Sequence, residues 1–189
     1  MPKSFRGTGF KQLAVKQSHE FPRGFALHTP QSRYKIFDAA RNNQTAVIAR
    51  YLNQKGDPNK RDDRGHSLLI LAAYNGSLES VDLLLKRGAD THLQDGMGTA
   101  LMAASVKSFR PIVQRLLDAG ARVDERNGIG ATALMFAALT GKLSVVSLLM
   151  DSKADTSARD QRGLDAKRLA EQQGNTEMLG LLETAPKTR

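Results

Sequence analysis

A spacing of about 33 residues recurs through most of this chain of 189 residues. The pair Ala72-Ala73 has equivalents at successive steps of 33, 32, 33 and 33 residues. These equivalents are Ala39-Ala40, Ala104-Ser105, Ala137-Ala138 and Ala170-Glu171. The pair Leu84-Leu85 repeats at the same interval, with the last copy one place early. A fixed period of this size predicts a stack of similar supersecondary units rather than one closed core.

The most regular unit runs from Asp62 to Asp90. It contains a turn with Gly65, a short apolar stretch, a break at Gly76, a second apolar stretch and a stop at Gly88. Glycine commonly ends helices because it adopts the left-handed conformation at little cost. The pattern therefore predicts two short helices per unit, each preceded and followed by a turn.

The stretch GHSLLILAAYNGSLESVDLLLKRGADTHLQD resembles an ankyrin repeat, a turn followed by two antiparallel helices. The resemblance covers residues 32–183 and implies five units in an all-α solenoid with protruding turns. The family's Thr-Pro-Leu-His stretch appears here without its Pro and His, for example as Thr132-Ala133-Leu134-Met135. That His usually joins a polar network between turns, so its loss leads us to expect that packing ties the turns together. The Gly-x-Thr-Ala-Leu-Met form is similar to bacterial members of the family.

The resemblance divides the chain into a leader, an array and a tail. The leader is residues 1–31 and the tail residues 184–189, and the units are expected at about 32–61, 62–94, 95–126, 127–159 and 160–183. The leader is either flexible or a cap for the open end of the stack. A flexible leader is the simpler interpretation, but four phenylalanines are unusual in a disordered tail and would cover the first unit in a cap: Phe5, Phe10, Phe21 and Phe25.

Three positions depart from the glycine pattern. Asn43 stands where later units have Gly76, and Lys153 replaces the glycine that ends the second helix. Met97 takes the place of the turn glycine in the third unit, between Gly96 and Gly98. This last change predicts a turn of different construction in that unit.

The net charge of +9 is concentrated at the ends of the chain. Residues 1–32 carry five Lys or Arg and one Glu, and the tail adds two more basic residues. The intervening residues 33–183 hold 21 basic and 18 acidic residues. Affinity for nucleic acid comes from many phosphate contacts on one face, so this near balance makes nucleic acid an unfavoured partner.

The sequence offers no catalytic, cofactor or metal site. There is no cysteine, which excludes disulfides and thiolate ligands. His66 and His92 lie in neighbouring turns without a carboxylate pattern that would complete a metal site or triad, and we interpret both as solvated. The fragment Gly96-Met97-Gly98 fits a turn better than a phosphate loop. No small-molecule substrate is expected.

Partner recognition is expected at positions that the stack does not need for packing, namely the turn tips and the exposed ends of the first helices. Among these, Tyr74, Met97, Ile129 and Leu139 are apolar or aromatic and are candidate anchors. The full set of predicted partner-binding residues is Arg41, Arg64, His66, Tyr74, Asn75, Met97, Val106, Lys107, Ile129, Leu139, Thr140 and Arg162.

These features favour a non-enzymatic module that binds a partner protein of acidic character in its concave groove. The resemblance suggests a bacterial adaptor, a stress-related protein or an antidote that blocks a toxic partner. One alternative is an array tethered by its basic ends to nucleic acid or an acidic membrane surface. Another is a secreted effector that binds a host protein. No apolar run is long enough for a membrane span and no signal peptide is evident, so the expected location is cytoplasmic, or periplasmic or secreted if a leader was removed.

A salt titration separates the groove from the tether. If the basic ends hold the protein on an acidic surface, binding falls steeply between 50 and roughly 200 mM salt and disappears when residues 1–31 are deleted. If the groove binds the partner, the deletion leaves most of the affinity. Binding of the full-length and shortened chains to the same partner, measured by titration calorimetry at both salt concentrations, checks this expectation.

Overall fold

The computed structural model describes residues 30–184, with side chains from residue 35 onward. The predictions for the leader up to residue 29, including its four phenylalanines, and for residues 185–189 lie outside this range. The described residues form ten helices in five pairs: α1 Pro30–Arg41, α2 Thr45–Asn53, α3 Leu68–Tyr74, α4 Leu78–Lys86, α5 Ala100–Val106, α6 Arg110–Asp118, α7 Ala133–Leu139, α8 Leu143–Asp151, α9 Ala166–Gln172 and α10 Thr176–Glu183. Each pair is called a unit below, and its first helix the inner helix.

The all-α repeat architecture predicted from the sequence is confirmed. Each inner helix contacts the inner helix of the next unit, from α1 to α9, and the outer helices stack in the same order. Ala72, Ala104 and Ala137 are completely buried at equivalent places in these contacts. Alanine lets neighbouring helix backbones approach closely, so the repeated small pair determines the spacing of the units. Among the described helices, none is long and apolar enough to cross a membrane.

Polar side chains start the inner helices. The hydroxyl oxygen of Ser67 accepts a hydrogen bond from the N–H of Ile70, and Thr99 and Thr132 cap α5 and α7 in the same way. In the last unit the carboxylate of Asp165 takes this role for α9. Such a cap satisfies one of the N–H groups that lack a partner inside the helix. We call the turn before each of these four helices a tip; the tips begin at Asp62, Asp95, Asn127 and Asp160. The capping residue at the end of each tip fixes where the inner helix begins.

A side-chain turn shapes the tip that precedes each of these inner helices. The Oδ1 atom of Asp62 accepts hydrogen bonds from the N–H groups of Arg64 and His66, which lie two and four residues ahead. Asn127 and Asp160 repeat this arrangement in the fourth and fifth units. This is the local backbone capture by short polar side chains that favours turns.

The third tip is one residue shorter than the others. Asp95 Oδ1 accepts from the N–H groups of Met97 and Gly98, two and three residues ahead. Gly98 has φ +129° and is followed at once by the capping Thr99. The left-handed position thus moves to Gly98, and Met97 does not take over the role of the turn glycine.

Polar contacts connect successive tips in addition to the packing that the sequence leads us to expect. The guanidinium of Arg61 donates to the carbonyl of Gln94, and the amide of Gln94 donates to the carbonyl of Arg126 at 3.1 Å. Arg126 in turn donates to the carbonyl of Arg159 at 2.7 Å. Each residue is the one before its tip, so these bonds form a ladder along the array. The missing His of the family motif is compensated by a different set of residues.

Asn43 and Ser108 both adopt the left-handed conformation after an inner helix, with φ of 55° and 64°. Most residues with a side chain are strained there, whereas Asn tolerates it. Asn43 also reaches into the second unit, where its Oδ1 accepts a hydrogen bond from the N–H of Ser80 at 2.9 Å. Its amide contacts the carboxylate of Glu79 as well. Asn43 therefore caps the outer helix α4 of the neighbouring unit, which explains why it is not a glycine.

Replacing these two residues by glycine should have opposite effects on stability. In Ser108→Gly the strain is relieved, and we expect the free energy of unfolding to rise by about 0.5 to 1 kcal/mol. In Asn43→Gly the cap between the units is lost, and we expect a decrease of about 1 kcal/mol. Urea unfolding followed by circular dichroism, at unchanged m-value, measures both. Shifts of the same sign would contradict the capping role of Asn43.

Candidate partner-binding groove

The concave side of the array contains a cavity of about 270 Å³ between α3 and α5. It is open to solvent and bounded by the second and third tips at one end and by the ends of the two inner helices at the other. Seven of the twelve predicted partner-binding residues line it: Arg41, Arg64, His66, Tyr74, Asn75, Met97 and Val106. The structure thus brings together residues of three successive units at one depression.

The floor of the cavity is apolar and was missed by the sequence reasoning. Leu71, Met102, Ala103 and Phe136 line it although the first three are nearly or fully buried in the stack. Their positions in the repeat predict core residues, and nothing in a single sequence shows that one edge of each faces the groove. Residues of the inner helices therefore form the floor of the cavity, and residues of the tips form its walls.

Large apolar side chains are exposed along the same side of the molecule. Tyr74 is 37% exposed and Leu139 36%, and both end an inner helix. Met97 and Ile129, at the third and fourth tips, are each 51% exposed. These four candidate anchors span the second, third and fourth units. They leave an apolar strip that the stack itself does not cover.

His66 is not a solvated turn residue, contrary to the interpretation from sequence. Its Nδ1 atom lies 2.6 Å from Oδ2 of Asp95, whose side chain is only 3% exposed. His92 likewise faces the carboxylate of Glu125, at 3.4 Å. Each histidine therefore contacts an acid of the following unit, and the two do not pair with each other. The His66–Asp95 pair closes the wall of the cavity between the second and third tips.

The cations around the cavity differ in what neutralises them. Arg41 forms ion pairs with Asp38 at 2.9 Å and with Asp62 at 3.2 Å. The guanidinium of Arg64 is exposed and forms no ion pair with any carboxylate that the structure describes. Lys107 lies over the ring of Tyr74, 4.7 Å from its centroid, and forms no ion pair with a carboxylate of the described residues. A cation over an aromatic ring stabilises the pair but leaves its charge uncompensated.

Arg162 occupies the place in the fifth tip that Arg64 occupies in the second, yet its side chain is bound. Its Nε and Nη2 atoms donate to Oδ2 of Asp160 at 3.0 and 2.8 Å. In the second tip the equivalent oxygen of Asp62 is taken by Arg41 from the first unit. Arg64 forms no ion pair with a described carboxylate, and the acid of its tip binds a residue of the preceding unit instead.

Four further predicted residues lie outside the cavity. Lys107 contacts it only through Tyr74. Ile129, Leu139 and Thr140 are exposed on the fourth unit, where the hydroxyl of Thr140 donates to the carbonyl of Phe136 at 2.8 Å. They continue the apolar strip without adding a free donor. The described residues contain no group of His, Asp and Glu that could hold a metal ion.

The pKa of Asp160 reflects its buried position beside Arg162. Burial alone would raise the pKa of this carboxyl, but the bonds from the Arg162 side chain and from the N–H groups of Leu164 and Arg162 outweigh burial and lower it. The side chain of Arg162 therefore stabilises the last tip by binding Asp160.

Residues 36–127 and 101–186 match a family model described as ankyrin repeats in three copies. Dauer abnormal formation protein 25 of Caenorhabditis elegans is 34% identical over 99 residues, which are 51% of this chain and 26% of that protein. The ARF GTPase-activating protein Git of Drosophila melanogaster is 34% identical over 94 residues, 49% of this chain and 13% of that protein. A putative ankyrin repeat protein of Pseudomonas aeruginosa is 35% identical over 57 residues, 30% of this chain and 33% of that protein. The chain spans a third or less of these curated relatives.

The structural role of Arg162 can be tested by pH. Because the pKa of Asp160 is lower in the folded than in the unfolded chain, this carboxylate stabilises the fold above about pH 4 and less as the pH falls through the folded value. We expect Arg162→Gln to lower the free energy of unfolding by about 1 kcal/mol or less at pH 7. The difference from the wild type should shrink toward zero at about pH 2.

Arg64→Gln is the matched control, since Arg64 has the same place in its tip without the ion pair. We expect its melting temperature to follow the wild type at every pH in a differential scanning calorimetry series. An Arg162→Gln difference that stays constant down to pH 2 would show that the Asp160 contact does not stabilise the fold.

Proposed function

This chain belongs to the ankyrin-repeat family, and from that premise we propose that it is a non-enzymatic module that binds a partner protein in its concave groove. Proteins of this family typically act through protein interaction, and their stacked cores leave the groove surface free for recognition. The observation that supports this most directly is the apolar strip of Tyr74, Met97, Ile129 and Leu139 beside a preformed cavity. Aromatic and aliphatic anchors of this kind carry most of the binding energy in protein interfaces.

The charge of the groove favours an acidic partner. Arg64 and Lys107 have no described carboxylate that neutralises them, whereas Arg41 on the same side is paired with Asp38 and Asp62. Positive charges at the rim of an interface accelerate encounter with a negative surface and disfavour basic partners. The partner surface that enters the groove therefore carries apolar side chains with carboxylates near them.

The module acts by covering the surface that it binds, as an adaptor or as an inhibitor of the partner. The curated relatives support this general use, since their names describe dissimilar proteins and the matched segments are a minor part of each. A repeat array shared by proteins so different contributes recognition, while the chemistry lies in other parts. An inhibitor or antidote role requires in addition that the covered surface include the partner's active site.

The groove can be tested with a photo-crosslinking amino acid placed at Tyr74. We expect the probe at this position to form a covalent adduct with a defined partner in cells, whereas the same probe at Val47 does not. Val47 is the matched control because it is 39% exposed and apolar but lies on the outer helix α2. Mass spectrometry identifies the partner in the adduct.

Binding of the identified partner can then be measured with purified proteins. The double variant Tyr74→Ala/Ile129→Ala is expected to weaken the complex more than about tenfold, because it removes two candidate anchors. Val47→Ala should leave the affinity unchanged. Equal affinities of the wild type and the double variant would exclude the groove as the binding surface.

A further inference from the structure

Two unpaired positive charges lie at the cavity between α3 and α5: Arg64 in its lining, and Lys107 beside it over the ring of Tyr74. Arg64 lies in the second tip, three residues before the Ser67 that caps α3. Lys107 lies at the other end of the inner helices and directly follows the last residue of α5. Neither forms an ion pair with the carboxylates that the structure describes. In the second tip the carboxylate of Asp62 binds Arg41 of the first unit and not Arg64.

Between these charges the cavity is apolar and larger than a benzene site. An enclosed apolar space of about 150 Å³ holds one benzene molecule, whereas this open cavity measures about 270 Å³. Its lining includes the sulfur-bearing Met97 and Met102 and the rings of Tyr74 and Phe136. Thioether and ring contacts favour aromatic ligands. The space therefore suits one large aromatic side chain that enters from solvent.

We propose that this cavity recognises a partner segment in which an aromatic residue has a carboxylate two positions before it and another two positions after it. The aromatic side chain occupies the apolar cavity, and the two carboxylates bind Arg64 and Lys107. This inference rests on the proposed function, and it adds the chemistry of the bound segment.

An extended segment has the span that this arrangement requires. Arg64 precedes α3 and Lys107 follows α5, so the two residues lie at opposite ends of inner helices that are each about 10 Å long. In an extended chain every second side chain points to the same face, and residues four apart are separated by about 13 Å. A pattern of acidic, any, aromatic, any, acidic residues thus places all three side chains on the face that meets the groove. A basic segment would instead meet repulsion at both ends.

The absence of tryptophan from the chain makes a direct test available. The probe is the peptide acetyl-Gly-Glu-Gly-Trp-Gly-Glu-Gly-amide, whose tryptophan is the only one in the mixture. We expect saturable binding to the full chain, with a shift of the tryptophan emission to shorter wavelength as the ring leaves water. The same peptide with Gln in place of both Glu residues should bind about tenfold more weakly, and the version with Lys should show no saturation.

Protein variants locate the bound peptide. Arg64→Gln and Lys107→Gln are each expected to weaken the Glu peptide about threefold to tenfold while leaving the affinity for the Gln peptide unchanged. Arg50→Gln is the matched control, because Arg50 is an exposed arginine on the outer helix α2. Far-ultraviolet circular dichroism confirms that each variant retains the helix content of the wild type.

Three results would overturn the inference. The first is no change of emission up to millimolar peptide, the second is equal affinity for the Glu and Gln peptides, and the third is equal weakening by Arg64→Gln and Arg50→Gln. None of them would decide the proposed function. If the natural partner still depends on Tyr74 and Ile129 while the peptide fails, the groove binds a different segment. If the peptide binds as expected but the natural partner binds the Tyr74→Ala/Ile129→Ala variant as tightly as the wild type, the proposed function is wrong and the cavity is still a peptide-binding site.

Discussion

Close contact between inner helices through alanine is the interaction on which the rest of the structure depends. Residues such as Ala72, Ala104 and Ala137 are completely buried where one unit meets the next. A longer side chain at any of these places would separate two units and disturb packing that is as dense as in other protein interiors. The same close spacing brings the tips within hydrogen-bonding reach of one another. It also determines the width of the groove, because the cavity floor consists of inner-helix residues that face both the core and the solvent.

The tips add directional bonds to this apolar stack. Each is closed by one Asp or Asn whose side chain captures two N–H groups, and the residue before it donates to the next unit. Because both interactions are satisfied within the protein, the tips are held in place before any partner arrives. Preorganisation of this kind reduces the ordering cost of binding. The groove therefore combines an apolar surface with walls whose positions are already set.

The fold could be predicted from the sequence because its determinants are local and repeated. The period, the small pairs and the glycines recur in each unit, and the structure places helices where they indicate. Other features depend on neighbouring units. Arg64 and Arg162 have the same place in their tips, yet only Arg162 binds the acid of its own tip, whereas Asp62 in the second tip binds Arg41 of the preceding unit. The pairing of His66 with Asp95 and the contribution of Phe136 to the cavity likewise require the distances between units. A single sequence shows the residue types but not these distances.

The ladder of side chains along the tips has a direction, and it ends at Arg159 in the last unit. The fifth unit is the last that the structure describes, and its inner helix α9 exposes Lys167, Arg168 and Glu171 instead of apolar residues. In a linear array each unit is stabilised by apolar contacts with its neighbours, so a unit with a polar outer face such as the fifth has fewer of these contacts and opens more easily. The cavity lies between the second and third units, which have neighbours on both sides. Local opening of the fifth unit can therefore occur while the groove keeps its shape. We expect amide hydrogen exchange to be fastest in the fifth unit and slowest beside the groove.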